Sequence, residues 1–281
     1  MLAQDLAPAL VPSHEVTALH HSECDITDES ALRPLFKSLR PDVVINCAAY
    51  SDVDGCERDP QRASEVNGSG PGNLARAAEA IGARVFHIGT DYVFDGKKRA
   101  PYEEEDAPNP ISAYGRSKLE GERAVFANGS GRQRHLVIRT SWLYGAHRTN
   151  FVDKIIEGAQ SRPRMDVVQD QVSCLTWTRH LAKKIAELVS KRVTGILHIA
   201  GSGECTRYDI ARMLVERLSH PVSITPITWE SLNLPAKRPA YSAMRSGRLG
   251  EVGLRALPDW KSALDEYISV RPSIATAMKT S

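Results

Sequence analysis

Tyr114 and Lys118 stand four residues apart in Tyr114-Gly115-Arg116-Ser117-Lys118, downstream of Gly89-Thr90-Asp91-Tyr92-Val93-Phe94-Asp95-Gly96. On a helix that spacing stacks both side chains on one face. A free phenol, with a pKa of roughly 10, is a weak acid near neutrality. An ammonium held beside it favours the phenolate and lowers that pKa. Such a pair can give a proton to a carbonyl oxygen as a hydride reaches the carbon. Thr90, ending an apolar run, can offer a hydroxyl to the same oxygen. The Tyr/Lys pair alone also occurs on solvated helix faces, so its meaning depends on the elements that carry it.

Those elements alternate. Glu15 to Leu19, Pro41 to Asn46, Ala83 to Ile88 and His135 to Arg139 read as strands. Asp28 to Leu39, capped by Thr27 or Asp28, reads as a helix, as do Ser64 to Ile81 and Ile111 to Ala127. Gly68 to Gly72 interrupts the second of these. Alternation of this kind predicts βαβ units and a doubly wound, Rossmann-like parallel sheet. After about residue 141 the rhythm loosens. Helices are expected at Phe151 to Gln160, Trp177 to Ser190, Tyr208 to Leu218 and Pro258 to Ile268. Short strands are expected at Gly195 to Ile199 and Val222 to Thr225. The division this suggests is a nucleotide-binding part at 1–145 and a mainly substrate-binding part at 146–281, some of whose segments return to the first.

Composition narrows the function. The chain has 281 residues, 42% hydrophobic and 25% charged, with a formal net charge of +2. No basic cluster points to nucleic acid. No apolar stretch is long enough to span a membrane, and no signal peptide is visible. The five cysteines, Cys24, Cys47, Cys56, Cys174 and Cys205, are odd in number and dispersed, which fits reduced thiols in a cytoplasmic protein. No metal-ligand spacing is visible among Cys and His.

A dinucleotide-binding sheet normally opens with a strand and a glycine-rich turn that holds the pyrophosphate at a helix N-terminus. This chain opens Met1-Leu2-Ala3-Gln4-Asp5-Leu6, already helical in pattern, with no G-x-G-x-x-G nearby. The expectation is a sheet lacking its first strand and phosphate loop, by truncation. Asp25, followed by Ile26, stands where an acidic residue meets the adenosine ribose in such folds. It serves equally well as a turn or cap residue in Cys24-Asp25-Ile26-Thr27-Asp28.

Taken together, several segments resemble the dTDP-4-dehydrorhamnose reductase family of the extended short-chain dehydrogenase/reductase superfamily. They are Pro41 to Tyr50, Val53-Asp54 with Glu57, Asn67, Gly89 to Gly96, Pro110 to Glu122, Arg139 to Gly145, Asp170-Gln171, Gly195 to Gly201, Thr206 to Tyr208, and Arg238-Pro239 with Ser242. The resemblance implies reduction of the 4-keto group of dTDP-4-dehydro-L-rhamnose to dTDP-L-rhamnose with NADPH or NADH. It implies Thr90, Tyr114 and Lys118 as the catalytic set, with Lys118 also on the nicotinamide ribose. Asn46, Cys47, Ala48, Ala49 and Tyr50 would pass along the cofactor, the two alanines allowing close backbone approach. Ser51, Thr90, Asp91, Tyr92, Trp142 and Arg238 would meet the dTDP-sugar, Trp142 as a flat ring against the hexose and Arg238 as a guanidinium for the diphosphate. The family also implies a possible Mg2+ requirement and a possible homodimer.

Two departures stand out. Gly89 replaces a serine, and Ser173-Cys174-Leu175-Thr176 replaces a Gly-x-Pro-Thr pattern. Two other functions compete. Gly70 to Lys118 is also similar to the regulatory β subunit of methionine adenosyltransferase, which would make the chain a non-catalytic binding protein. A nucleotide-sugar epimerase or 4,6-dehydratase of the same superfamily is the third reading. It ranks below the others, because Thr90 is followed by Asp91-Tyr92 rather than by an Asp-Glu pair.

Overall fold

A computed structural model describes residues 1–127, 131–218 and 222–271. Helices α1 (Leu2–Leu10) and α2 (Glu29–Leu39) come first, followed by strand β1 (Val43–Asn46). Short helices α3 (Val53–Arg58) and α4 (Pro60–Ala63) lead through a π-helical turn, Ser64–Ser69, into α5 (Gly70–Glu79) and β2 (Arg84–Ile88). Then come α6 (Ala113–Val125), α7 (Gly131–Arg134), β3 (Leu136–Arg139), β4 (Leu143–Tyr144), α8 (Phe151–Ser161), β5 (Arg164–Val168), β6 (Val172–Ser173) and β7 (Thr176–Trp177). The remainder is α9 (Thr178–Val189), β8 (Gly195–His198), β9 (Cys205–Thr206), α10 (Arg207–Val215), β10 (Ser223–Ile227) and α11 (Trp260–Ser269).

The main sheet is parallel, in the order β1-β2-β3-β8. Its central strand β3 is buried at every position, as expected for a strand covered on both faces. Phe86, Leu136, Ile138 and Leu197 of the sheet pack with Leu2, Leu6 and Leu10 of α1 and with Leu181, Ile185 and Leu188 of α9. The i, i+4 apolar spacing on both helices is what lets them share this face. On the opposite face Leu32 and Phe36 of α2 meet Leu74 and Ala78 of α5 and Val85 of β2. A separate cluster, around Tyr144, Trp177, Ile210, Trp260 and Tyr267, holds α8, α10 and α11 together.

The caps follow sequence chemistry. The Asp28 side chain accepts from the N–H groups of Ser30 and Ala31 and starts α2. Asn150 and Asp153 form a capping box on α8, and Thr206 and Asp209 form another on α10.

The structure departs from expectation at two places. Glu15 to Leu19 is not a strand: no backbone ladder joins it among the described residues, and it is largely exposed. A β-strand is stable only through a neighbour, and this segment has none. Gly68 to Gly72 does not interrupt its helix. The backbone winds through the π turn straight into α5, and the glycine that matters here lies across the interface. A Cβ on Gly121 of α6 would come within 2.0 Å of the Asn67 carbonyl oxygen, so its absence lets the two helices pack backbone to backbone.

Candidate active site

Helix α6 carries the tyrosine and lysine, and three neighbours fix its start. Ser112 accepts from the Gly115 N–H at 3.1 Å. Glu57 of α3 accepts from the Ala113 N–H at 2.6 Å. Gly115 allows the turn after β2 to approach, since a Cβ there would meet the Tyr92 carbonyl oxygen at 2.2 Å. Tyr114 and Lys118 therefore face the carboxyl end of β2. Thr90 lies just past that end, and its hydroxyl caps the 3-10 turn Asp91–Val93 by accepting from the Tyr92 N–H at 3.2 Å.

Burial dominates the electrostatics. It raises the Tyr114 phenol well above its ordinary value, while the Thr90 hydroxyl facing it favours the ionised form. Tyr92 packs edge-on against the Tyr114 ring, with centroids 5.7 Å apart. The buried Lys118 ammonium is pushed down to about 8 by desolvation, opposed by Glu122 and Cys47. Lys118 Nζ donates to the Ile88 carbonyl oxygen at 2.6 Å and lies 3.4 Å from His87 Nε2. Glu122 is itself held by Arg139 through contacts of 2.7 to 3.2 Å. This pair explains Gly89: a Cβ there would meet Glu122 Oε1 at 2.8 Å and Arg139 Cγ at 3.1 Å.

The segment after β1 runs beside this site. Asn46 is buried and directs its amide to Ala48 and His87. Cys47 is close to the amino-terminal end of α1, and burial raises its thiol to about 11. Ala48 and Ala49 are exposed, leaving a bare ledge of backbone. Tyr50 is clamped through its N–H and carbonyl by the Asn67 side chain at 2.8 and 3.0 Å, and Ser51 is exposed beside it. Asp25 and Ile26 lie apart from the Tyr/Lys pair, in the turn before α2. Asp25 is half-buried and accepts from the Thr27 N–H and hydroxyl. The Ile26 side chain is buried against α2 and α5.

The remaining sequence-predicted residues are more entangled than their spacing suggests. Asp91 is buried and accepts from Ser173 Oγ at 3.0 Å, Ser242 Oγ at 2.6 Å and Thr90 Oγ1 at 3.1 Å. Desolvation still raises its carboxyl to about 6. Arg238 pairs with Asp54 of α3 at 2.9 Å and stacks over Trp229 at 3.8 Å. Trp142 has a left-handed backbone, φ +34°, and one face of its ring is covered by the Arg207 guanidinium at 4.4 Å.

Sequence reasoning missed Arg207 and His87. Arg207 lies between Trp142 and Phe151, in electrostatic range of Tyr92, Asp91 and Arg238. Among the described residues no carboxylate forms an ion pair with it. Its only sequence signal was an arginine opening α10 after the Thr206 cap. His87 is an unremarkable member of an apolar strand until the fold places it behind Lys118. Among the described residues no cluster of three or more His, Cys, Asp or Glu is placed to hold a metal ion, and no helix is long and apolar enough to cross a membrane.

The family model described as the RmlD substrate binding domain matches residues 1–271. A dTDP-4-dehydrorhamnose reductase of Mycolicibacterium smegmatis is 42% identical over 265 residues, covering 93% of this chain and 80% of that protein. The spore coat polysaccharide biosynthesis protein SpsK of Bacillus subtilis is 36% identical, with 92% and 90% covered. Among solved structures, a dTDP-4-dehydrorhamnose reductase of Bacillus anthracis in complex with NADP superposes with a TM-score of 0.91 at 30% identity, covering 96% of this chain and 95% of that one. A dTDP-glucose 4,6-dehydratase of Streptomyces venezuelae, at 20% identity and a TM-score of 0.74, shares the fold. With the Thr90, Tyr114 and Lys118 side chains carried at and just beyond the end of β2 and these reductase relatives matched over most of their length, the chain belongs to the dTDP-4-dehydrorhamnose reductase family.

Proposed function

We propose that this chain reduces the 4-keto group of dTDP-4-dehydro-L-rhamnose, with NADPH or NADH as hydride source, in the cytoplasm. The observation that carries the reading is the Thr90 hydroxyl facing the Tyr114 phenol, with Lys118 one turn onward on α6 at the end of β2 and the exposed Ala48 and Ala49 on the segment after β1. That ledge fits a dinucleotide: Ala48 and Ala49 offer backbone with no bulky side chain in the way, and Lys118 lies at its inner end. When bound, the nicotinamide supplies a hydride to C4 of the sugar.

The chain's own residues handle the proton. Tyr114 donates its Oη proton to the C4 oxygen, and the phenolate left behind is stabilised by the Lys118 ammonium. Thr90 contributes a hydroxyl at the same oxygen. Arg238 and Arg207 supply two guanidinium groups for the diphosphate, whose paired oxygens suit their fork geometry. Asp25, Ile26, Asn46, Cys47 and Tyr50 border the cofactor in this reading, and Ser51, Asp91, Tyr92 and Trp142 border the sugar. The division into parts at 1–145 and 146–281 belongs to the same proposal.

The test is NADPH and NADH oxidation with enzymatically prepared dTDP-4-dehydro-L-rhamnose, paired with thermal unfolding in each cofactor. Cofactor-dependent turnover that disappears in Tyr114→Phe supports the reductase. A cofactor at one hundred times its dissociation constant stabilises by about 2.7 kcal/mol, so a rise in unfolding temperature reports binding independently. Binding without turnover, or a Tyr114→Phe variant with undiminished activity, refutes the catalytic reading and favours a regulatory one.

A further inference from the structure

His87 lies in the middle of the sheet, its ring fully buried, bridging two groups of the site. Its Nδ1 is 3.1 Å from Asn46 Nδ2, and its Nε2 is 3.4 Å from Lys118 Nζ. Asn46 settles which nitrogen carries the ring proton. Its Oδ1 accepts the Ala48 N–H at 3.0 Å, so the end of the amide facing the imidazole is the donor. Reversing the amide would set two donors against each other at Ala48. Nδ1 of His87 must therefore accept, and a neutral ring then carries its proton on Nε2, directed at Lys118. Burial holds the ring neutral, with the neighbouring Lys118 charge acting in the same direction.

This arrangement discriminates between the two states of Lys118. An ammonium is donor-only, whereas the neutral amine has a lone pair that can accept the Nε2–H. The donation from Lys118 to the Ile88 carbonyl is available to both states. Other groups face the same nitrogen. Glu122, one turn onward on α6, pulls toward the ammonium but is itself engaged by Arg139 of β3. Cys47 beyond β1 has a raised thiol and stays neutral near pH 7. Tyr114, one turn back, also stays a neutral phenol. Among the described residues, His87 is thus the side chain within hydrogen-bond distance of Lys118 Nζ that can donate specifically to the amine.

We propose that His87 is a positioning residue for Lys118: its Nε2–H, locked in direction by Asn46, favours the neutral amine and sets the pH at which Lys118 ceases to support Tyr114. The catalytic consequence rests on the reductase reading, but the protonation states can be read without substrate or cofactor.

In the ligand-free chain, 15N-labelled histidine resonances identify the tautomer, with His87 assigned by its loss in His87→Gln. A neutral ring protonated at Nε2 across pH 6 to 9 is expected. A ring protonated at Nδ1, or an imidazolium titrating near the ordinary value, overturns the proposal. Lys118 is followed through labelled lysine 13Cε, assigned with Lys118→Met. In His87→Phe its midpoint should rise by about one pH unit. In His87→Gln, whose amide can accept from Asn46 and donate to Lys118, it should stay near the wild-type value. Equal midpoints in wild type and both variants refute the role. If turnover is present, the alkaline limb of kcat should move with the Lys118 midpoint, whereas a packing defect would lower stability in both variants without moving it. The expected tautomer and shift in a chain without turnover would sink the reductase reading and leave the His87–Lys118 assignment standing.

Discussion

At the scale of single residues, burial decides which groups are poised. Tyr114 must arrive at the substrate as a phenol, and desolvation keeps it one. Removing its hydroxyl in Tyr114→Phe should lower kcat by about 10²- to 10⁴-fold, the usual contribution of a positioned acid, with cofactor affinity nearly unchanged in a fluorescence titration. Lys118 gives the opposite limit. Its ammonium is lost as pH rises through about 8, so the proposed activity should fall above that pH. Asp91 offers a stability prediction of definite sign. Its folded carboxyl titrates at about 6, above the roughly 4 of an unfolded aspartate. The folded chain holds a proton that the unfolded chain releases between those values. The stability this confers is complete below pH 4 and is lost as pH climbs through 6. Urea melts of wild type and Asp91→Asn at pH 4.5 and 7 should therefore differ in their pH dependence by about 2 kcal/mol.

At the scale of elements, the site is a product of helix packing. Gly121 lets α6 press on the π turn that carries Asn67, and Asn67 in turn holds Tyr50 on the ledge beside Lys118. Gly121→Ala should destabilise the chain by about 1–3 kcal/mol through overpacking, read as a lowered unfolding temperature. Elements with local signals were legible in the sequence: Asp28 announces α2, the Leu32 and Phe36 spacing marks its buried face, and the apolar run of β3 marks a covered strand. Glu15 to Leu19 misled because a strand pattern carries no record of its partner. Two-residue strands such as β4 and β7 are too short to leave a period. The Tyr/Lys pair was legible because a helix fixes its geometry locally. His87 and Arg207 were not, since each acquires its meaning from side chains that the fold delivers from other elements.

At the scale of the whole molecule, Arg238 ties the segment before α11 to α3 through Asp54, while Asp91 ties the end of β2 to Ser173 and Ser242. The proposed substrate would thus be gripped by parts of the chain far apart in sequence. Arg238→Met and Arg207→Met should each raise KM about 10- to 100-fold with smaller changes in kcat, as expected for loss of one charged hydrogen-bonding group. Initial-rate kinetics on both variants would check this. Strand β1 has a different consequence. It pairs with β2 on one side, and Val43, Val44 and Ile45 are only half-buried. Among the described residues its other margin has no ladder partner, so a short row of unsatisfied peptide groups flanked by branched apolar side chains is open to whatever approaches. Such a margin templates sheet extension between molecules. In concentrated solution the colloidal behaviour of this protein should be governed by those three residues more than by its net charge.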